Sequence, residues 1–265
     1  MSSDAATPME FWYRLPYSQR EKYYNWALNL VLSIGLVLIL FPIYWMVATS
    51  LMSPEGLFSL PNPLVPTDVT LETYRSVLET DVLLWYRNTI FLAAGVVGLT
   101  TVAATLGGYG LARLDIPFKK TFARVILFGY MSPPILLSIP MFIFWRQIGI
   151  INSLPGVIIA QTATTLPFSL WLMWQFFQTV PYSYEESARV IGCSRFQAFY
   201  EIALPLAKPG MIAVAIFSFA IAWGAYTIPT VLLTSNSKWV LTLGLYSFTQ
   251  QESVLWGQIM AASTM

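Results

Sequence analysis

The chain has 265 residues, 56% of them hydrophobic and only 10% charged, with a mean hydropathy of +0.62. A water-soluble domain carries roughly a quarter charged residues, so this is the composition of an integral membrane protein. The net charge of +1 gives no reason to invoke nucleic acid. With no histidine and with Cys193 as the single cysteine, disulfide frameworks, zinc sites and histidine-based catalysis are excluded.

No GxxxxGK[ST] phosphate loop occurs, so any ATP chemistry belongs to another subunit and no cofactor is expected here. The first 25 residues mix acidic, basic and aromatic side chains. They lack the short apolar run and small-residue cleavage site of a signal peptide, and read as a cytoplasmic N-terminal segment before a membrane domain over 26–265.

A bilayer core needs about 20 apolar residues per helix. Five charge-free segments meet that length: 26–50, 88–112, 125–145, 155–177 and 210–233. After the first, residues 51–87 form an external loop with five acidic residues (Glu55, Asp68, Glu72, Glu79, Asp81) against Arg75 and Arg87. Its proline-rich start predicts extended chain, followed by a short helix capped near Thr70. The second span ends in Gly107, Gly108 and Gly110, small residues that let helices approach closely in lipid. Pro133-Pro134 and Pro140 predict breaks in the third span, which are tolerated only inside protein or beside a cavity. The fourth carries Gln161 among several threonines and Pro167. In the fifth, Trp223 and Tyr226 stand three apart, so a continuous helix would bring them to one face. Rings of this kind stack on sugars, and Gln161, Trp223 and Tyr226 are candidates for a translocation path.

Between the fourth and fifth spans lies a polar, charged loop, 178–209. Ser183 with Glu186, and Ser194 with Gln197, have the spacing of capping boxes. They predict two short helices joined at Gly192, where positive φ is needed. Phe196, Phe199, Tyr200 and Ala203 follow the i, i+3, i+4, i+7 pattern of one apolar stripe, and Pro205 and Pro209 are expected to stop the second helix. Cys193 reads as a small filler beside the turn. Past Glu252, thirteen residues remain. As a helix they span about 20 Å, short of a core about 30 Å thick. The expectation is five spans plus an incomplete sixth, continuing for about 15 further apolar residues.

Lysine and arginine set the orientation. With the N-terminus inside, ten of them (Arg14, Arg20, Lys22, Arg113, Lys119, Lys120, Arg124, Arg189, Arg195, Lys208) face the cytoplasm and four (Arg75, Arg87, Arg146, Lys238) face outward. Loop 178–209 is then cytoplasmic. No acidic residue lies in any span, which disfavours an ion-coupled carrier working alone.

The loop also carries a resemblance. Glu186-Ser187-Ala188, then Gly192, then Ile202-Ala203-Leu204-Pro205 keep every spacing of the EAA loop of binding-protein-dependent ABC importer permeases. Ser187 replaces the first alanine, and Ile191 stands where aspartate often precedes the glycine. Phe41–Leu51, the GGYGLARL end of the second span, FAIAWGAYTIPTVLLT (219–234) and WGQIMAAS near the C-terminus resemble the carbohydrate-uptake, maltose-type branch.

The resemblance implies an all-α polytopic bundle of the type I importer kind, in the cytoplasmic membrane of a prokaryote. It implies transport of a sugar or polyol without catalysis by this chain, or of another solute such as a polyamine or phosphate ester. The implied partners are a second permease, two ATPase subunits and an extracytoplasmic solute-binding protein. Glu185, Glu186, Ala188, Gly192, Phe196, Ile202, Leu204 and Pro205 are the implied ATPase-coupling residues. The carboxylates of Glu185 and Glu186 would pair with arginine on the ATPase.

Overall fold

The computed structural model describes residues 16–59, 63–66, 68–250 and 255–265. Residues 1–15 of the N-terminal segment, part of the proline-rich stretch (60–62 and 67) and the Glu252 region lie outside them. The chain forms two compact units, one from Met1–Val77 with Trp256–Met265, the other from Leu78–Leu255.

In the first unit, α1 (Tyr17–Ser50) begins nine residues before the expected span and continues through Pro42 without a break. Its leucines and valines face outward, as lipid-solvated side chains do, and only Ala48, Thr49 and Ser50 are buried. A one-turn helix, α2 (Pro54–Leu57), is capped by Ser53. Then α3 (Glu72–Leu78) starts where the Thr70 hydroxyl accepts the Glu72 N–H at 3.1 Å, as expected. Tyr74 ties this unit together. Its hydroxyl bonds Ser50 and Thr264, each at 2.7 Å, joining α1 and α3 to the C-terminal helix Trp256–Thr264.

The second unit is built on α4 (Val82–Arg113) and α7 (Leu154–Thr179). A Cβ at Gly95 would meet Ile158, one at Gly107 would meet Leu170, and one at Gly108 would meet Met173 and the Trp174 backbone. The contacts advance together along both helices, so α4 and α7 run parallel. Gly107 and Gly108 pack as the small-residue reading expects, whereas Gly110 faces only Leu114 of the following segment.

Two parallel neighbours need a return crossing between them. That return is α5 (Lys119–Tyr130) and α6 (Pro134–Gln147), which meet at 92°. Pro133 pushes Ser132 out of helical conformation, and Pro134 occupies the first turn of α6, where its missing N–H costs nothing. Pro140, also expected to break the span, lies inside α6.

The fifth expected span departs further from its reading. After the coupling loop, α10 (Lys208–Trp223) ends at Gly224, and a separate helix, α11 (Thr227–Leu232), follows. The Thr242 hydroxyl caps the break by donating to the Ala225 carbonyl at 2.6 Å. At one end of the unit Ala104, Met173, Phe177, Phe199 and Val214 form a core, and at the other Leu92, Val96, Val157, Ala222 and Ile228 form a second. Here α12 (Leu241–Ser247) sets Gly244 flat against the Trp85 indole, leaving no room for a Cβ.

Candidate functional site

Loop 178–209 holds two short helices, α8 (Ser183–Val190) and α9 (Arg195–Ala198), on either side of Gly192, whose φ of +105° is the positive value the sequence demanded. Around it the Gly192 N–H reaches the Arg189 carbonyl and the Cys193 N–H the Ala188 carbonyl, closing α8. The second capping box is present in full: Gln197 N–H donates to the Ser194 hydroxyl, and Ser194 N–H to the Gln197 side chain. The first is absent. Tyr182 takes the cap position of α8, Ser183 lies within the helix, and no side chain caps it.

The carboxylate beside Glu186 turns inward. Glu185 is 2% exposed, and its Oε1 accepts from Arg113 Nε at 2.6 Å while Oε2 accepts from the Tyr109 hydroxyl at 2.8 Å. Arg113, 7% exposed, also donates to the Val180 carbonyl and lies over the Tyr182 ring. A pairing of Glu185 with a partner's arginine is therefore corrected: this chain supplies the arginine itself. Glu186, one residue on, points to solvent. Ala188 shares the buried face with Glu185.

The apolar stripe also divides. Phe199 and Ala203 are buried, with Phe199 against the Tyr109 ring at 4.5 Å, whereas Phe196 and Tyr200 stand exposed. A π-helical turn over Phe199–Ala203 widens the helix and rotates the pattern. Helical structure continues through Pro205, which sits in the first turn of Leu204–Leu206. Pro209 then opens α10 after a 68° bend, so Pro205 does not stop the helix. Ile202 and Leu204 are half-buried and Pro205 is exposed. Two apolar residues just before the turn, Val190 and Ile191, are 87% and 83% exposed.

Of the path candidates, Trp223 and Tyr226 do not share a helix face, because α10 ends between them. Trp223 stacks on Phe219, and Tyr226 meets Tyr246 edge-on at 5.3 Å. Gln161 is buried on α7 and lines a cavity that neither ring reaches.

Arg113 and Tyr109 were not among the expected site residues. Arg113 entered the sequence reading only as one of ten charges on a face. The signal that could have found it is the three-residue spacing from Glu185 to Ala188, which puts the carboxylate on the face that a small residue packs.

Residues 104–265 match the family described as binding-protein-dependent transport system inner membrane component. The chain belongs to that family. Its dependence on a solute-binding protein, its place in the inner membrane and its work with an ATPase follow from membership. A diacetylchitobiose uptake system permease of Streptomyces coelicolor is 33% identical over 237 residues, 89% of this chain and 84% of that protein. A trehalose/maltose transport system permease of Thermococcus litoralis is 30% identical over 246 residues, 89% and 87% of the two chains. Among solved structures, one chain of a bacterial ABC transporter that imports the acidic polysaccharide alginate superposes with a TM-score of 0.77. It is 22% identical and covers 95% of this chain and 94% of its own, so the type I importer fold is shared.

Proposed function

We propose that this chain is the permease subunit of an ATP-driven importer for a neutral sugar or polyol. It moves solute and transforms none. A second permease completes the pore, two ATPase subunits engage the cytoplasmic loops, and an extracytoplasmic binding protein delivers the solute. The observation that carries the reading is the surface around Gly192. Val190, Ile191, Phe196 and Tyr200 are large apolar side chains exposed on an otherwise charged loop, beside the free carboxylate of Glu186. Exposed apolar clusters rimmed by polar residues mark protein–protein contacts, and an ATPase cleft is the partner the EAA spacing fits. Coupling then runs from Glu186 and the Gly192 turn through Ala188, Ile202, Leu204 and Pro205 into α10. Glu185 acts from behind, by holding α8 to α4. The sugar assignment draws on the diacetylchitobiose and trehalose/maltose permeases to which the chain is similar.

The test is co-purification of the ATPase subunit with a variant carrying Ile191→Asp and Phe196→Asp. The expected result is loss of the ATPase from the complex with the permease still in the membrane. A complex of wild-type stoichiometry and wild-type uptake would overturn the docking role.

A further inference from the structure

The 92° junction of α5 and α6 lines one side of a partly open cavity of about 300 Å³, with α7 and Ile221 of α10 on the other. Tyr130, Ser132 and Pro133 come from the junction, and Gln161 and Thr164 from α7. Three features set its wall apart from lipid-facing surface. The first is Gln161, only 6% exposed, whose side-chain amide meets no hydrogen-bonding group among the described residues although it lines the cavity. The amide opens onto the cavity, so its hydrogen bonds go to whatever fills that space.

The second is a backbone carbonyl. That of Tyr130 would be met in a helix by the N–H groups at 133 or 134, and both positions are proline. The third is direction. Thr164 and Thr165 donate their hydroxyl protons to the Gln161 backbone carbonyl at 2.9 and 2.8 Å, so their remaining lone pairs only accept. Broken helices whose unwound backbone lines a cavity are how membrane transporters build solute sites.

We infer that this cavity is a solute subsite of the permease itself, taking one ring of a neutral polyhydroxylated solute. The Gln161 amide supplies two donors and an acceptor. The Tyr130 carbonyl and the two threonine oxygens accept, and together they match the alternating donors and acceptors of vicinal hydroxyls. The wall holds no lysine, arginine, aspartate or glutamate, so a charged solute would enter uncompensated. Tyr130 packs on Phe168 at 5.4 Å, which fixes an apolar flank against which a sugar ring can lie. The inference rests on the importer reading, because it requires that solute pass through this chain.

The experiment uses the complete transporter in proteoliposomes, offered labelled maltose, trehalose and diacetylchitobiose through its binding protein. For the sugar the wild type carries, Gln161→Leu lowers the maximal uptake rate at least tenfold and Gln161→Asn restores part of it. The membrane level and subunit composition of both variants match the wild type. On a Cys193→Ser background, Thr164→Cys is labelled by a water-soluble thiol reagent and is shielded by that sugar. If Gln161→Leu carries the sugar at the wild-type rate and Thr164→Cys is not shielded, the cavity holds water only and the subsite is overturned. If the wild type carries none of the three but carries another sugar or polyol, the same variants are read with that solute; if it carries no sugar or polyol, the sugar reading itself falls, and the subsite with it.

Discussion

Arg113, the last residue of α4, and Glu185, in the first turn of α8, form a buried ion pair at 2.6 Å. Each member has a further partner: the second carboxylate oxygen accepts from the Tyr109 hydroxyl, and a second guanidinium nitrogen donates to the Val180 carbonyl. The pair fixes the angle at which the coupling loop leaves the end of the bundle. Tyr109 extends that link, because its ring also packs on Phe177 of α7 and Phe199 beyond Gly192.

Removing one member strands a buried charge, so Arg113→Ala and Glu185→Ala should each destabilise the subunit by about 3–5 kcal/mol. Replacing both by methionine removes the charge with the volume kept and should cost far less. Denaturant unfolding of the purified complex measures this. A double-variant loss equal to the sum of the two single losses would show that the pair carries no charge coupling.

Gly192 should tolerate alanine poorly and valine worse. No atom crowds a Cβ there, so the cost is conformational and not steric: left-handed backbone costs an L-residue about 1–2 kcal/mol, and more when it is β-branched. The expected phenotype of Gly192→Val is a permease present in the membrane whose uptake per ATP hydrolysed falls. An unchanged ratio in proteoliposomes would remove the turn from the coupling path.

Three neighbouring glycines should respond differently. A Cβ at Gly108 would lie 2.8 Å from the Trp174 backbone nitrogen, which cannot step aside, so Gly108→Val should cost about 1–3 kcal/mol by overpacking. Gly110 meets nothing closer than 3.7 Å, and Gly110→Ala should stabilise its helix by roughly 0.5–1 kcal/mol. Gly107 falls between, because its nearest atom is the tip of the Leu170 side chain. Thermal unfolding in detergent ranks the three. A stabilised Gly108→Val would contradict the parallel packing.

Orientation is tested with Cys193→Ser as background and single cysteines at Ser194 and Thr70. A membrane-impermeant thiol reagent applied to intact cells should label Thr70→Cys alone. Labelling at both positions, or at Ser194→Cys alone, would overturn the assignment of loop 178–209 to the cytoplasm.

What the sequence disclosed and what it hid follow from distance along the chain. The Gly192 turn, the Ser194–Gln197 box and the Thr70 cap involve residues within a few positions, and they were legible because local chemistry decides them. The Ser183 box failed although its spacing is right, because the helix starts one residue early, with Tyr182 at the cap and Ser183 already helical; the inward turn of Glu185 was hidden because Arg113 and Tyr109 are distant in sequence. The stripe from Phe196 to Ala203 assumed a regular α-helix, and the π turn moved Phe199 and Ala203 inward while leaving Tyr200 outside. Trp223 and Tyr226 were joined by the same assumption and separated by Gly224. The double-proline junction was readable as a break, but its angle, and the cavity it opens beside Gln161, depend on α7 packing parallel to α4.

That parallel packing also dictates an order of assembly. When α4 emerges from the ribosome, the helix it will lie against has not been made, and the return crossing must be threaded first. Until then the small-residue face at Gly107 and Gly108 has no helix to receive, and Arg113 has no carboxylate to meet. Only after α7 has entered beside α4 and α8 has followed can Glu185 close over the guanidinium. The ion pair is thus among the last contacts of the bundle that the order of synthesis makes possible.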